Sequence, residues 1–432
     1  MLKVINDYIW NAGLLVLLLG TGMFLTVKTG FFQIRRAGFI LRSIRHSLRQ
    51  SGSSQWKISA SALAASMGTG NIVGVTAALA LGGAGAVFWM QISALFGMML
   101  TYGENVLAMR FRRTEKDGRV IGGAMAYLRY GLGSRILAVV YGVFCILASL
   151  GMGNMTQSST AAQALESSFG FSPAAIGVII AVFLLLTVIG GIKSIGNAAQ
   201  FLLPFASVSY MLIALGVIIV NFENIPRAFG EILGGAFGIK QAGAGMFGSA
   251  VSAGLRHGVF SNEAGLGSSA LIHSNAEDSD RYLQGMWSIF EVFLDTIVCC
   301  TLTALMVLTS GVPVQMGAQP IAGAFSMILG GFGGTAAAVI IALFAVCTML
   351  GWCCCGEMAV RSISSRKRAV VIYRAVFCLC GALGSMGALS DIWALSDIAN
   401  GLMAVPNLLA LLLLSKYITV PKKTDNKHIC GK

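Results

Sequence analysis

A short polar stretch inside an apolar region is the part of this sequence best suited to bind a ligand. The residues Gly68, Thr69, Gly70 and Asn71 place two glycines, a hydroxyl and an amide within the apolar region 61–83. If the helix unwinds there, the half-helix that begins near Asn71 exposes free N–H groups and a partial positive charge, which can hold a carboxylate. The two glycines would let ligand atoms approach the backbone closely.

The same stretch could bind a cation, and it has two competing interpretations. The carbonyl groups freed between Ala64 and Met67 would suit a hard cation such as sodium. Gly70 and Gly74 have a spacing that is common where membrane helices pack closely. The pattern G-x-G-x-x-x-G also resembles a nucleotide-binding loop, but no strand precedes it. We favour the ligand-binding interruption over helix packing, and nucleotide binding is disfavoured.

A second interruption lies in the apolar region 255–273, which carries Arg256, Asn262 and Glu263 among glycines. An acid at membrane depth costs free energy, so it is expected to be functional or paired. Glu263 could pair with Arg256 or hold the interruption in shape, and this structural role is slightly favoured. Asn262 and the backbone of 258–261 are then the better ligand candidates.

Other polar groups lie inside apolar segments. Asp295 could hold the second interruption or bind a cation, and the sequence does not separate these roles. Asn154 and Gln157 could face a cavity, take part in gating or tie helices together. Thr348 and Trp352 lie four residues apart and so share a helix face. Trp352 could form a pocket wall, although tryptophans more often serve packing.

The composition indicates an all-α polytopic membrane protein. The chain has 432 residues, of which 56% are hydrophobic and 11% charged, and its mean hydropathy is +0.79. Soluble domains carry about 25% charged residues. Apolar segments long enough to cross a bilayer recur along the whole chain. About eleven spans are predicted, at 8–27, 57–81, 84–107, 136–160, 173–191, 198–220, 242–273, 283–310, 335–360, 369–389 and 392–415.

The two interruptions fall in the second and seventh predicted spans, which are five spans apart. Because five is odd, blocks that begin with these spans have opposite orientations, as in transporters built from inverted repeats. The predicted organisation is an extra helix with a basic loop at 1–56, a first repeat at 57–220, a second repeat at 242–415 and a basic tail at 416–432.

The net charge of +13 is a topology signal. Basic residues concentrate in loops 28–57 and 108–135, in 361–374 and in the tail, which all fall on one side of the predicted membrane. The positive-inside rule therefore places a multi-pass protein in the cell membrane, with its amino terminus outside and its carboxyl terminus in the cytoplasm. The lipid bilayer is the expected partner; nucleic acid is disfavoured, and no obligate protein partner is evident.

Enzymatic function is not expected. The sequence has no His-Glu-x-x-His and no Gly-x-x-x-x-Gly-Lys motif, and only four histidines. Its ten cysteines lack the spacing of a zinc site, so no cofactor is expected. A channel would need more aligned polar residues inside the spans than the sequence offers. A carrier is therefore favoured over a channel and over a membrane-embedded enzyme.

Several long motifs in order resemble the alanine or glycine:cation symporter family, and the match covers nearly the whole chain. They are "GTGNIVGV", "GVFSNEAGLGS", "VFLDT", "TMLGW" and "LMAVPN". The resemblance implies a LeuT-type fold, in which one helix precedes a five-plus-five inverted repeat. It also implies sodium- or proton-driven uptake of small neutral amino acids, chiefly alanine and glycine. The alternative is a carrier of another small amino acid or solute on the same fold, driven by protons or sodium.

The resemblance also implies a site. The substrate would contact Gly68, Thr69, Gly70, Asn71, Phe260, Asn262, Thr348 and Trp352, and sodium would bind the carbonyls of Ala64 and Met67 with Cys347 or Thr348. Two departures from the family pattern are Ala124 and Ala126 in "GGAMAY", and Cys353-Cys354-Cys355 after the tryptophan. They bear on the sodium site and on the cytoplasmic loop.

Overall fold

The computed structural model describes residues 2–10, 12–51, 53–115, 120–238, 244–276, 280–387 and 390–421. Its regular structure is helical apart from one antiparallel strand pair, β1 (Arg113–Thr114) and β2 (Val120–Ile121). The basic residues Lys116, Arg119 and Lys240 and the tail beyond residue 421 lie outside the described part, so their predicted placement is not described.

The helices of the first half begin with a pair that precedes the first interruption. Its members are α1 (Leu2–Ile9) and α2 (Ala12–Lys28). They are followed by α3 (Phe32–Arg35), α4 (Ala37–Ser51), α5 (Ser53–Ser66), α6 (Val73–Gly82), α7 (Gly85–Phe111), α8 (Gly123–Ala126), α9 (Arg135–Leu150), α10 (Thr156–Phe169), α11 (Pro173–Ile189), α12 (Gly191–Val220) and α13 (Ile225–Ala236).

The helices of the second half begin at the second interruption. They are α14 (Ala244–Asn262), α15 (Ser268–His273), α16 (Arg281–Val292), α17 (Thr301–Ser310), α18 (Gln319–Leu329), α19 (Gly333–Ile363), α20 (Lys367–Ser385) and α21 (Ser390–Leu413). A π-helical segment, Gly151–Met155, joins α9 to α10, and another, Phe293–Cys300, joins α16 to α17.

Seven helical segments in the described part are long and apolar enough to cross a membrane, and three shorter apolar helices accompany them. Many large apolar side chains on these helices are exposed, including Phe201, Leu212 and Leu186. Such a surface is suited to contact lipid, because its side chains are apolar and the helices satisfy their own backbone hydrogen bonds.

Both predicted interruptions are present in the structure. After α5 ends at Ser66, Gly68 is extended and a short 3₁₀ turn, Thr69–Asn71, leads into α6. After α14, Glu263 takes a left-handed conformation at φ 55°, and Gly265 and Gly267 take φ of 88° and 77°. Glycine adopts positive φ without a steric cost, which explains the glycines here. Glu263 pays that cost and must be held by its neighbours.

The predicted span 136–160 is shorter than the helical segment found there. The α9 helix, the π-helical segment and α10 form one helical segment that ends at Phe169, whereas the sequence predicts an end near residue 160. The last turns carry Gln163 and Ser167, which lower the hydropathy of this segment. Both residues line a cavity, so their polarity does not end the helix.

The packing brings the interrupted helices against long, continuous ones. The α7 helix packs on α14 and α16, α19 packs on α5 and α10, and α2 packs on α7 and α21. Gly351 permits the α19–α5 contact, because a Cβ on it would lie 2.5 Å from the Ala65 amide nitrogen. Small residues at such crossings let helix backbones approach closely.

Candidate functional site

A cavity of about 980 Å³ lies between the interrupted helices and α10. The first interruption and α6 line one wall, and α14 lines another. The loop before α18 borders the cavity as well. Its polar lining residues include Ser66, Thr69, Thr156, Gln157, Thr160, Gln163, Ser249, Ser252, Arg256, His257, Glu263, Thr348 and Asp397.

The first interruption has carbonyl groups at the end of α5 and N–H groups before α6 that make no backbone hydrogen bond in the described part of the chain. The last α5 hydrogen bond is donated by the Met67 amide to Leu63 O at 2.6 Å, which leaves the carbonyls from Ala64 to Met67 beyond it. The next backbone bonds are donated by Asn71 to Gly68 O and by Ile72 to Thr69 O, each at 3.2 Å. The N–H groups of Thr69 and Gly70 precede these bonds, and both residues line the cavity.

Two glycines place this interruption against its neighbours. A Cβ on Gly68 would lie 2.0 Å from the Thr348 hydroxyl oxygen, so a side chain fits there only if Thr348 on α19 shifts. A Cβ on Gly70 would lie 3.6 Å from the Cα of Ser261 on α14. The first interruption therefore meets both α19 and the end of α14.

The side chain of Asp295 joins the two interruptions. The Asn71 amide donates to Asp295 Oδ1 at 2.7 Å, and the Ser261 hydroxyl donates to Oδ2 at 2.8 Å. The Thr296 hydroxyl adds a bond to Oδ2 at 2.7 Å. The Asn71 side-chain oxygen also accepts from the Gly68 amide at 2.9 Å. Asp295 is fully buried and lies outside the cavity lining, so in this structure it holds both interruptions in position.

Glu263 holds the second interruption and also borders the cavity. Ser268, the first residue of α15, donates to Glu263 Oε2 at 2.6 Å, and the Trp352 indole donates to Oε1 at 2.6 Å. Of the two structural roles that the sequence allowed, Glu263 therefore holds the interruption in shape and does not pair with Arg256 in the described part of the chain. Arg256 pairs with Asp397 on α21 at 3.2 Å, because it lies nearly two turns before the interruption.

A third acid in this region, Glu104 on α7, was not predicted as a site residue. It is fully buried and accepts from the Gly267 amide at 3.2 Å and from the Asn407 amide at 2.6 Å. Asn407 also donates to Gly265 O at 2.8 Å. Glu104 thus holds the glycines of the second interruption. The rule that singled out Glu263, an acid at membrane depth, applies equally to Glu104.

The predicted site residues divide into those at the cavity and those behind it. Asn154 donates to Phe377 O at 2.5 Å and ties its segment to α20. Asn262 caps the Ala264 amide and donates to Thr296. Trp352 packs on Gly153, where a Cβ would lie 2.3 Å from its ring. The cavity lining includes Gly68, Thr69, Gly70, Phe260, Thr348, Gln157 and Glu263, whereas Asn71, Asn154, Asn262, Asp295, Trp352, Ala64, Met67 and Cys347 lie outside it.

One contact joins the cavity lining to α10. The Thr69 hydroxyl donates to Gln157 Oε1 at 2.7 Å, and Gln157 Nε2 donates to Met152 O at 3.3 Å.

The Thr348 side chain also lines the cavity, but its buried hydroxyl oxygen has no hydrogen-bond partner in the described part of the chain. A buried polar atom without a hydrogen-bond partner costs free energy, so this oxygen is suited to contact a polar atom of a ligand or a bound ion.

Away from the large cavity, α5, α15 and α16 are joined by hydrogen bonds that the sequence did not indicate. His273 contacts Glu291 at 2.9 Å and Gln284 at 2.6 Å, and Gln284 donates to Gln55 on α5 at 2.9 Å. A second cavity of about 10 Å³, the size of a single water molecule, lies between Glu263 and Glu291. The structure is thus open on one side of the interruptions and closed on the other.

Comparison with known proteins gives a consistent result. The model of the sodium:alanine symporter family matches residues 1–427. The sodium/alanine symporter AgcS of Methanococcus maripaludis is 38% identical, over 99% of this chain and 97% of that protein. A Bacillus subtilis protein described as a probable sodium/glutamine symporter, GlnT, is 33% identical over 99% of this chain and 91% of its own length.

Two solved structures share the fold. The crystal structure of MhsT in complex with L-phenylalanine has a TM-score of 0.63 at 17% identity, over 88% of this chain and 92% of that one. A manganese transporter of Eremococcus coleocola has a TM-score of 0.52 at 16% identity, over 89% and 84%. At these identities the likeness shows a LeuT-type transporter fold and nothing about the substrate.

The role of Asp295 gives a stability prediction. Asp295→Ala removes the carboxylate that accepts from Asn71, Ser261 and Thr296 and leaves Asn71 only the backbone carbonyl of residue 295 as an oxygen acceptor, so the thermal midpoint in detergent should fall by roughly 3 °C or more. Asp295→Asn keeps one acceptor oxygen and should have an intermediate midpoint. Glu231→Ala is the control, because Glu231 forms only an exposed pair with Arg227. An Asp295→Ala midpoint equal to that of Glu231→Ala would show that the carboxyl does not hold the interruptions.

Proposed function

The chain belongs to the sodium:alanine symporter family, and from that premise we propose that it carries a small neutral amino acid, alanine or glycine, into the cell together with sodium. The observation that carries the proposal is the interruption at Gly68 to Asn71, which opens its backbone toward the cavity beside Phe260. In this account the protein works by alternating access, in which the site faces each side of the membrane in turn.

The substrate carboxylate would bind the N–H groups of Thr69 and Gly70. These groups stand at the start of the turn that leads into α6, where the helix dipole adds a partial positive charge. The carboxylate therefore needs no cationic side chain. Arg256, the arginine that lines the cavity, is already paired with Asp397.

The substrate side chain would point toward Phe260 and the Thr348 end of the site. A Cβ on Gly70 would make an ordinary van der Waals contact with Ser261, so the space between these two residues holds little more than a methyl group. Trp352 would act indirectly, because it fixes Glu263 at the cavity floor. A hydrogen or methyl side chain fits this arrangement with the least rearrangement.

Sodium would bind where the α5 carbonyls meet α19. The carbonyls of Ala64 and Met67 lie past the last α5 hydrogen bond, and Thr348 offers a hydroxyl oxygen without a partner in the described part of the chain. Sodium is a hard cation and prefers such oxygens to the Cys347 thiol. The ion would stabilise the carbonyl end of the interruption while the substrate stabilises the N–H end. Each should therefore raise the affinity for the other, and this coupling is reciprocal.

The proposed membrane arrangement has eleven spans. Seven long apolar segments, the shorter helices α2 and α11, and the interrupted pairs α5–α6 and α14–α15 would supply them. Residues 57–220 and 242–415 would form the inverted repeats, after the extra segment 1–56 and before the tail 416–432. The basic loops would face the cytoplasm, with the amino terminus outside, so the large cavity would open to the exterior.

A larger amino acid is the second candidate substrate. The GlnT relative is described as a sodium/glutamine symporter, and a cavity of about 980 Å³ exceeds the needs of alanine. Protons remain the alternative coupling ion. Uptake by reconstituted protein of labelled alanine, glycine, serine and glutamine, with and without a sodium gradient, separates these cases. Saturable, sodium-dependent alanine uptake supports the proposal, whereas uptake that follows only a proton gradient would overturn the choice of ion.

The carboxylate site gives the first transport prediction. Gly70→Leu would fill the space beside Ser261 and cover the Thr69 and Gly70 N–H groups, so labelled alanine uptake should fall to background. Gly20→Leu is the matched control, because a Cβ there meets nothing within 4 Å. Equal monodispersity of both variants in detergent would exclude misfolding. Normal uptake by Gly70→Leu would remove the proposed carboxylate site.

The ion site gives the second transport prediction. Thr348→Val keeps the shape of the side chain and removes its hydroxyl, so the sodium concentration for half-maximal uptake should rise by roughly tenfold or more. Maximal uptake at saturating sodium should change much less. Thr187→Val is the control, because that hydroxyl bonds only to Phe183 O on its own helix. An unchanged sodium dependence in Thr348→Val would place the ion elsewhere.

A further inference from the structure

The loop after α2 forms a basic helical surface that lies outside the proposed transport site. Residues 28–57 carry seven basic residues and no acidic one, and no aspartate or glutamate occurs between Asp7 and Glu104. Most of these basic residues lie on α3 and α4. The surface therefore has an excess of positive charge that its own segment does not neutralise.

Two parallel stripes are exposed on α4. Leu41 and Leu48 are 53% and 37% exposed and stand seven residues apart, which is about two helical turns. Arg42 and Arg49 have the same spacing and are exposed beside them, with Arg45 also exposed. Among the residues that the structure describes, none of these arginines forms a salt bridge.

The neighbouring α3 continues both stripes. Ile34 is 54% exposed, and Arg35 next to it is exposed as well. Phe31, at the start of α3, is 40% exposed and lies under the Arg35 guanidinium at 5.9 Å. Both helices therefore expose apolar and cationic side chains next to one another.

The opposite face of α4 fixes this orientation. Ile40 and Ile44 are buried, and the Ser47 hydroxyl accepts from the Trp287 indole of α16 at 3.1 Å. The α4 helix packs on α16 and α5 through this face. Rotation of α4 to hide its apolar stripe would break these contacts, so Leu41 and Leu48 stay at the surface.

We propose that α3 and α4 lie in the headgroup layer of the membrane and bind anionic phospholipid. A helix with apolar and cationic stripes binds such an interface by burying the first and pairing the second with headgroups. Each arginine near an anionic surface contributes about 1 kcal/mol of attraction. In the proposed membrane arrangement, α2 ends and the interrupted pair α5–α6 begins on either side of this surface, which places the surface at headgroup level. The apolar stripe favours lipid over a free polyanion, which offers nothing to bury it.

The test uses the purified full chain in neutral detergent, without substrate or sodium gradient, so it is independent of the transport proposal. Phosphatidylglycerol should raise the thermal midpoint more than phosphatidylcholine does, and native mass spectrometry should show retained phosphatidylglycerol. The variant R42Q/R45Q/R49Q should lower the apparent affinity for phosphatidylglycerol by roughly tenfold or more. The variant R42K/R45K/R49K keeps the charge and should retain most of the binding.

The matched control is R366Q/K367Q/R368Q, which removes three exposed charges at the start of α20. It should keep the phosphatidylglycerol response, because these charges stand at the end of a candidate membrane span, whose exposed Val371 and Ile372 would face the lipid core rather than the headgroup layer. Equal losses in the two glutamine variants would show a general charge effect and would overturn the proposal. Inorganic phosphate or an RNA oligonucleotide that produced the same stabilisation, abolished by the same α4 variant, would overturn the assignment to lipid. Leu41→Gln with Leu48→Gln should also weaken the response, and an unchanged response would contradict the role of the apolar stripe.

Discussion

The carboxyl group of Asp295 is the interaction on which the rest of the site depends. It accepts hydrogen bonds from Asn71 in the first interruption and from Ser261 at the second, at 2.7 and 2.8 Å. These residues are far apart in sequence and belong to different helices. A helix that stops inside an apolar layer leaves backbone groups without partners, and such a helix persists only where other protein groups or a cavity receive them. Asp295 supplies that support for both helices at once, and so sets the distance between them.

Two further acids, Glu263 and Glu104, hold the second interruption through separate hydrogen bonds. Glu263 binds the first residue of α15 and the Trp352 indole, and Glu104 binds the Gly267 amide and Asn407. Each acid is buried, and each receives more than one donor. Burying a polar group is tolerable when its hydrogen bonds are made, and strongly unfavourable when they are not. The polar residues of this core therefore act as one framework that keeps two helix ends open.

The framework also explains the asymmetry of the molecule. On one side of the framework, α6, α10 and α14 surround a large cavity. On the other side, hydrogen bonds among His273, Gln284 and Gln55 join α5, α15 and α16. The closed side combines these hydrogen bonds with buried apolar side chains of the same helices, such as Leu271, Ile272 and Met286. The α4 helix packs against the same α16 through Ser47, so the surface of the molecule is connected to this closure.

The sequence by itself determined where the chain crosses an apolar layer and where its helices stop. Apolar length, glycines and an acid at membrane depth are local properties, and they predicted interruptions at 67–71 and within 255–273. The structure places the second one at 263–267, after the predicted ligand candidates 258–261, which lie in α14. Local properties do not determine which distant side chains meet. The pairing of Arg256 with Asp397, the place of Trp352 behind Gly153 and the contact of Glu104 with Gly267 depend on how whole helices pack. The tertiary structure alone decided those contacts, because a helix reveals its polar face in sequence but not the neighbour that this face will meet.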